Sequence, residues 1–110
     1  MPDPITQHSV EQEIMRLAAL LDVATTKIAE RARDAAGKRI DSKVAQAKAF
    51  LGAEGSVDAR KASATITCET EMRAAELADA VLLGAQDAAR NIRSQLDALR
   101  SVNTNLRNLV

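Results

Sequence analysis

One phenylalanine, and neither tryptophan nor tyrosine, occurs among 110 residues. A chain this poor in large rings lacks the bulk that fills most β-sandwich and α/β cores, and strand-like runs of Val, Ile, Phe, Tyr and Thr are missing as well. The nearest to one, Ala64-Thr65-Ile66-Thr67-Cys68, lies inside a longer helix-forming stretch and is read as helix. A single cysteine excludes an internal disulfide, and with a single histidine it leaves too few ligands for a zinc cage. No apolar run approaches the roughly 18 residues of a membrane span, and no basic region followed by an apolar core and cleavage site opens the chain. Fifteen basic and fifteen acidic side chains cancel, so no net field steers the chain to nucleic acid or to an anionic membrane. A reducing, cytoplasmic setting with no membrane partner is expected.

What remains is rich in Ala, Leu, Glu, Lys, Arg and Gln, which lose little conformational freedom in a helix. The fold class is all-α. Pro2 and Pro4 disfavour a regular start, so residues 1–8 are expected to form a mobile arm. Ser9 and Gln12 have capping-box spacing, which predicts helix 1 over about 9–51. Gly52-Ala53-Glu54-Gly55 forms the turn, Ser56 caps the next segment, and helix 2 is predicted over about 56–107. Gly37 and Gly84 are the points at which either helix could break, and a bundle of three or four shorter helices is the alternative.

Apolar spacing predicts how the two helices meet. Ile14, Leu17, Leu21, Ala24 and Ile28 step by 3 and 4, as in a coiled coil, before Ala32, Ala36, Ile40 and Val44 shift to steps of 4 and lead to Ala47 and Leu51. In helix 2 the series Ala78, Val81, Ala85, Ala88, Ile92, Gln95, Leu99, Val102, Leu106 and Leu109 keeps 3,4 spacing throughout. Residues 1–26 and 69–87 are net acidic, whereas 27–48 and 88–110 are net basic, which favours antiparallel pairing. The expected register sets Leu17 opposite Ala88, Leu21 opposite Ala85, Ala24 opposite Val81 and Ile28 opposite Ala78. The prediction is an antiparallel coiled-coil hairpin. Leu20, Val23, Leu77, Leu82, Leu83 and Leu96 widen the apolar stripe beyond what one partner helix covers, so a homo-oligomer or a helical protein partner is expected.

No catalytic, cofactor-binding or metal-binding constellation stands out, and helices without a pocket-forming loop offer little to an enzyme. The acidic group Glu69, Glu71, Glu76, Asp79 and Asp87 has no accompanying Glu-x-x-His and reads as a solvated face, with Glu69 paired to Arg73. Cys68 reads as a small filler in a helix interface. Two surfaces are candidates for binding. Lys27, Arg31, Lys38, Arg39 and Lys43 form a locally basic stretch able to meet phosphates, although Glu30, Asp34 and Asp41 interrupt it and no ring is there for base stacking. Leu99, Val102, Asn103, Leu106 and Leu109 form a C-terminal docking motif for a partner.

The segments Lys48-Ala49-Phe50-Leu51-Gly52-Ala53-Glu54-Gly55-Ser56-Val57-Asp58-Ala59-Arg60-Lys61-Ala62 and Gln95-Leu96-Asp97-Ala98-Leu99-Arg100-Ser101-Val102-Asn103 resemble small helical coiled-coil proteins encoded by actinobacterial phages and prophages. The resemblance implies a setting among early genes for recombination and DNA replication and brings no catalytic residue with it. The expected function is that of a non-enzymatic helical interaction module, an accessory factor in phage DNA metabolism. The alternative is a weak, sequence-independent nucleic-acid-binding protein that uses the basic middle of helix 1.

Overall fold

A computed structural model describes residues 6–109. They form three helices, α1 (Gln7–Gly52), α2 (Val57–Thr67) and α3 (Glu69–Asn108), with no strand among the described residues. The first helix begins earlier than its sequence signal. Thr6 Oγ1 accepts the Ser9 amide at 3.1 Å while Ser9 Oγ accepts the Thr6 amide at 3.1 Å, so Thr6 is the cap and Ser9 its reciprocal partner. Of the expected mobile arm, Gln7 and His8 are therefore helical, and residues 1–5 lie outside the described residues. Ser56 caps α2 as expected, its Oγ accepting the Ala59 amide at 3.2 Å. Just before it, Gly55 takes φ 106°, a left-handed conformation that a residue with a Cβ adopts only under strain.

The second half of the chain is divided where no glycine or proline stands. Cys68 has φ −101° and ψ 19°, which separates α2 from α3 within the predicted helix 2. Hydrogen bonding nevertheless continues: the Cys68 amide reaches the Ala64 carbonyl, and the Met72 amide the Cys68 carbonyl, both at 3.0 Å. Three consecutive β-branched residues precede the break, and Thr65 Oγ1 donates back to the Lys61 carbonyl at 3.0 Å. Such back-bonding bends helices. Gly37 and Gly84 interrupt nothing.

α1 and α3 pack against each other within two compact units, one containing residues up to 28 with those from 85 onward, the other residues 29–84. In the first unit Val10 and Leu17 are buried on α1, with Ile14, Leu21, Ala24 and Ile28 half-buried in the same 3,4 series. On α3, Ala89 and Leu96 are buried and Ala85, Ile92, Leu99, Asn103 and Leu106 half-buried. Leu96, at 1% exposure, is the largest fully enclosed side chain. In the second unit the buried residues are small: Ala35 and Ser42 on α1, Ala64 and Cys68 at α2, Ala75 and Ala78 on α3. Small contacts allow helix backbones to approach closely. Ser42 is satisfied there, accepting from Gln46 Nε2 at 3.0 Å.

The inward rows differ from the expected stripes in two places. After Ile28 the buried and half-buried series continues through Ala35, Lys38, Ser42, Ala45 and Ala49, and Ala32, Ile40, Val44, Ala47 and Leu51 are exposed. Steps of four residues advance about 40° each beyond a full turn, so four such steps carry Val44 about 160° round the axis from Ile28. An uninterrupted helix cannot turn its partner with it, and the 3,4 phase prevails over hydrophobicity. On α3 every second position moves by one residue. Leu82, Ala89, Leu96 and Asn103 face inward where Val81, Ala88, Gln95 and Val102 were expected, because both choices alternate correctly with Ala78, Ala85, Ile92, Leu99 and Leu106.

The register also shifts. Arg31, Asp34 and Lys38 share a cleft with Ala74, Leu77, Ala78 and Val81, so Val81 lies beside a segment about seven residues beyond Ala24. Across the turn Arg60 lies over Phe50, its Cζ 5.9 Å from the ring centroid.

Glycine substitutions separate helix interior from turn. A Cβ at Gly37 or Gly84 meets nothing within 4 Å, whereas one at Gly55 stands 3.3 Å from the Ala59 Cβ on a left-handed backbone. Gly37→Ala and Gly84→Ala should each stabilise the fold by about 1 kcal/mol, and Gly55→Ala should destabilise it by about 1 kcal/mol. Leu96→Ala should cost about 2–5 kcal/mol. Urea unfolding followed by helical circular dichroism measures all four.

Candidate functional site

The chemistry-bearing side chains do not converge. Among the described residues no group of three His, Cys, Asp or Glu lies close enough to hold a metal ion. His8 is exposed in the first turn of α1, and Cys68 is 3% exposed, a free thiol enclosed at the α2–α3 break. The grooves on the second unit are open to solvent, and the one lined by Arg31, Lys38, Leu77 and Val81 sets a charged wall of α1 against an apolar wall of α3.

The five basic candidates divide between two edges of α1. Spacings of four and seven residues keep Lys27, Arg31 and Lys38 in one row, while Arg39 is turned about 100° from Lys38 and shares the other edge with Lys43. Lys38 Nζ stands 3.8 Å from Asp34, and Arg39 Nη2 donates to Asp79 Oδ1 at 2.9 Å. The second contact joins the basic middle of α1 to the acidic block of α3. Lys27, Arg31 and Lys43 make no ion pair among the described residues. Glu69 takes its expected partner Arg73 at 2.7 Å. Farther along α1, Arg16 Nε donates to Glu13 Oε2 at 3.0 Å, and its Nη2 reaches the other oxygen. That hydrogen bond holds the Glu13 carboxyl below the usual carboxylate range and raises the Arg16 guanidinium. The pair favours the fold above the ordinary carboxylate value, and its contribution is lost as pH falls through the lowered one. Both side chains face water, so Glu13→Gln should leave stability at neutral pH nearly unchanged.

The C-terminal candidates also divide. Leu99, Asn103 and Leu106 are half-buried in the inward row of α3, whereas Val102 is exposed and Leu109 is 82% exposed. Asn103 Oδ1 is enclosed without a hydrogen-bond partner. A polar group in a helix seam specifies register at a cost in stability. Only Val102 and Leu109 of this set offer surface to a partner.

A third surface lies on residues whose spacing predicts an intramolecular seam. Ile40, Val44, Ala47 and Leu51 form a row along α1, with Ile40 at 61% and Leu51 at 78% exposure. The signal was the change from 3,4 to 4,4 spacing after Ile28, which marks a second apolar face. No helix among the described residues is long and apolar enough to cross a membrane.

No protein-family model, curated protein or solved structure matches the chain.

With Lys38 and Arg39 already engaged by carboxylates, DNA binding should be weak, indifferent to sequence and steeply lost with salt. Fluorescence anisotropy with single-stranded and duplex DNA at low salt and at about 150 mM measures it. Tight binding that survives the higher salt would establish a dedicated nucleic-acid surface, and Lys38→Glu with Arg39→Glu would then report whether α1 carries it.

Proposed function

We propose that the chain is a non-enzymatic helical protein–protein interaction module, built as an antiparallel coiled-coil hairpin and working as an oligomer or with a helical partner. The observation that carries this reading is the exposed row Ile40, Val44, Ala47 and Leu51, which has the spacing of a coiled-coil seam and lies away from the inward row of the same helix. Large apolar side chains at such spacing favour a helical partner over solvent. Antiparallel pairing is supported by the joining of residues up to 28 with those from 85 onward, and by the Arg39–Asp79 contact. The resemblance to phage and prophage coiled-coil proteins supports the reading of the chain as an accessory factor of phage DNA metabolism in the host cytoplasm. Direct nucleic-acid binding through α1 is the weaker reading, since two of its five cations are already paired.

Two measurements test the proposal. Cysteines at positions 31 and 81 in a Cys68→Ala background should form a cross-link within one chain, and a pair that fails to react while the fold is intact would reject the antiparallel pairing. Tagged chain in extract of its native cells should capture a defined partner, with capture reduced about tenfold by Ile40→Glu with Val44→Glu or by Val102→Glu with Leu109→Glu, since a charge buried in an apolar contact costs more than 1.4 kcal/mol. Capture indifferent to both pairs of substitutions would remove the apolar surfaces from the function.

A further inference from the structure

We propose that the row Ile40, Val44, Ala47 and Leu51 is the docking face for a second copy of this chain, laid antiparallel across the same row. The inference rests on the interaction reading above and names its partner. The row steps by 4, 3 and 4 residues, a complete seam for one further helix. It ends at Gly37 on one side and at the helix terminus Gly52 on the other, so the contact is about three turns long, about 18 Å.

The charges beside the row select the partner and its direction. Asp41 and Lys48 stand on one edge of it, seven residues and about 10.5 Å apart, too far to pair with each other. Neither makes an ion pair among the described residues. With a twofold axis between Val44 and Ala47, each Asp41 meets the partner's Lys48, Val44 lies opposite the partner's Ala47, and Ile40 lies opposite the partner's Leu51. On the other edge Lys43 meets the partner's Phe50, a half-buried ring that lies under Arg60 and shares a groove with Ala47 and Lys61. A parallel pair would set Lys43 against the partner's Lys48 on both edges, two like-charge contacts, and leave Asp41 without a cation. One copy thus carries both halves of the complement that its row requires.

So short a contact lies at the low end of stable interfaces, and a weak, reversible dimer is expected. Sedimentation velocity on the full chain from about 1 to 500 μM should show a monomer–dimer equilibrium that Ile40→Glu with Val44→Glu abolishes, with helical circular dichroism unchanged. Asp41→Lys alone and Lys48→Glu alone each oppose like charges and should weaken the dimer about 3- to 30-fold at low salt, less at high salt. Mixing those two variants restores both opposite-charge pairs, so the mixture should associate more tightly than either alone. This readout does not depend on the apolar substitutions. A chain monomeric throughout the range, or a dimer indifferent to all four substitutions, would overturn the proposal. A monomer that still captures a host partner overturns self-docking alone. A dimer that captures nothing supports self-docking and removes the accessory role.

Discussion

Keeping the 3,4 phase along two uninterrupted helices is the constraint on which the rest of this structure depends. A helix in contact with another over many turns must return side chains to the same line, and only an average step of 3.5 residues does so. From Val10 to Ala49 on α1 and from Ala75 to Leu106 on α3 the inward positions obey it, even where they hold Lys38, Ser42 or Asn103. Phase therefore takes precedence over residue type. Ile40, Val44 and Leu51, which fall off the phase, are turned outward.

That precedence explains why the two units have different interiors. Leu17, Leu96 and the half-buried Ile14 and Ile92 occupy the first, where large residues coincide with the phase. In the second, the phase falls on alanine, serine and cysteine, and Ile40, Val44 and Leu51 fall on the outer face. An alanine-lined contact brings helix backbones close but removes little apolar area from water. The same misfit that thins the interior of this unit creates its outer apolar row.

Electrostatics act on a second level. Most ion pairs lie within one helix turn, as in Arg16–Glu13, Lys38–Asp34, Arg73–Glu69 and Arg90–Asp87, and give only local support to the helix that carries them. Arg39–Asp79 differs because it joins α1 to α3 and uses up a cation otherwise available to phosphate.

Composition alone determined that the chain is helical: abundant alanine and unbranched side chains, scarce rings and no strand pattern leave little else. Local signals at Ser56 and Gly55 were also legible, because a cap and a left-handed turn act through adjacent atoms. The row from Ile14 to Ile28 was legible too, since phase and hydrophobicity coincide there. Tertiary structure decided the rest. It chose Leu82 and Leu96 over Val81 and Gln95, and turned Ile40 and Val44 to solvent, whereas the cap at Thr6 and the bend at Cys68 are local matters of adjacent turns. It also drew Leu99, Asn103 and Leu106 out of the docking motif and into the interior row. The choices of facing row depended on which of two nearly equal faces a helix presents, and only the partner helix, by holding one phase, makes that choice.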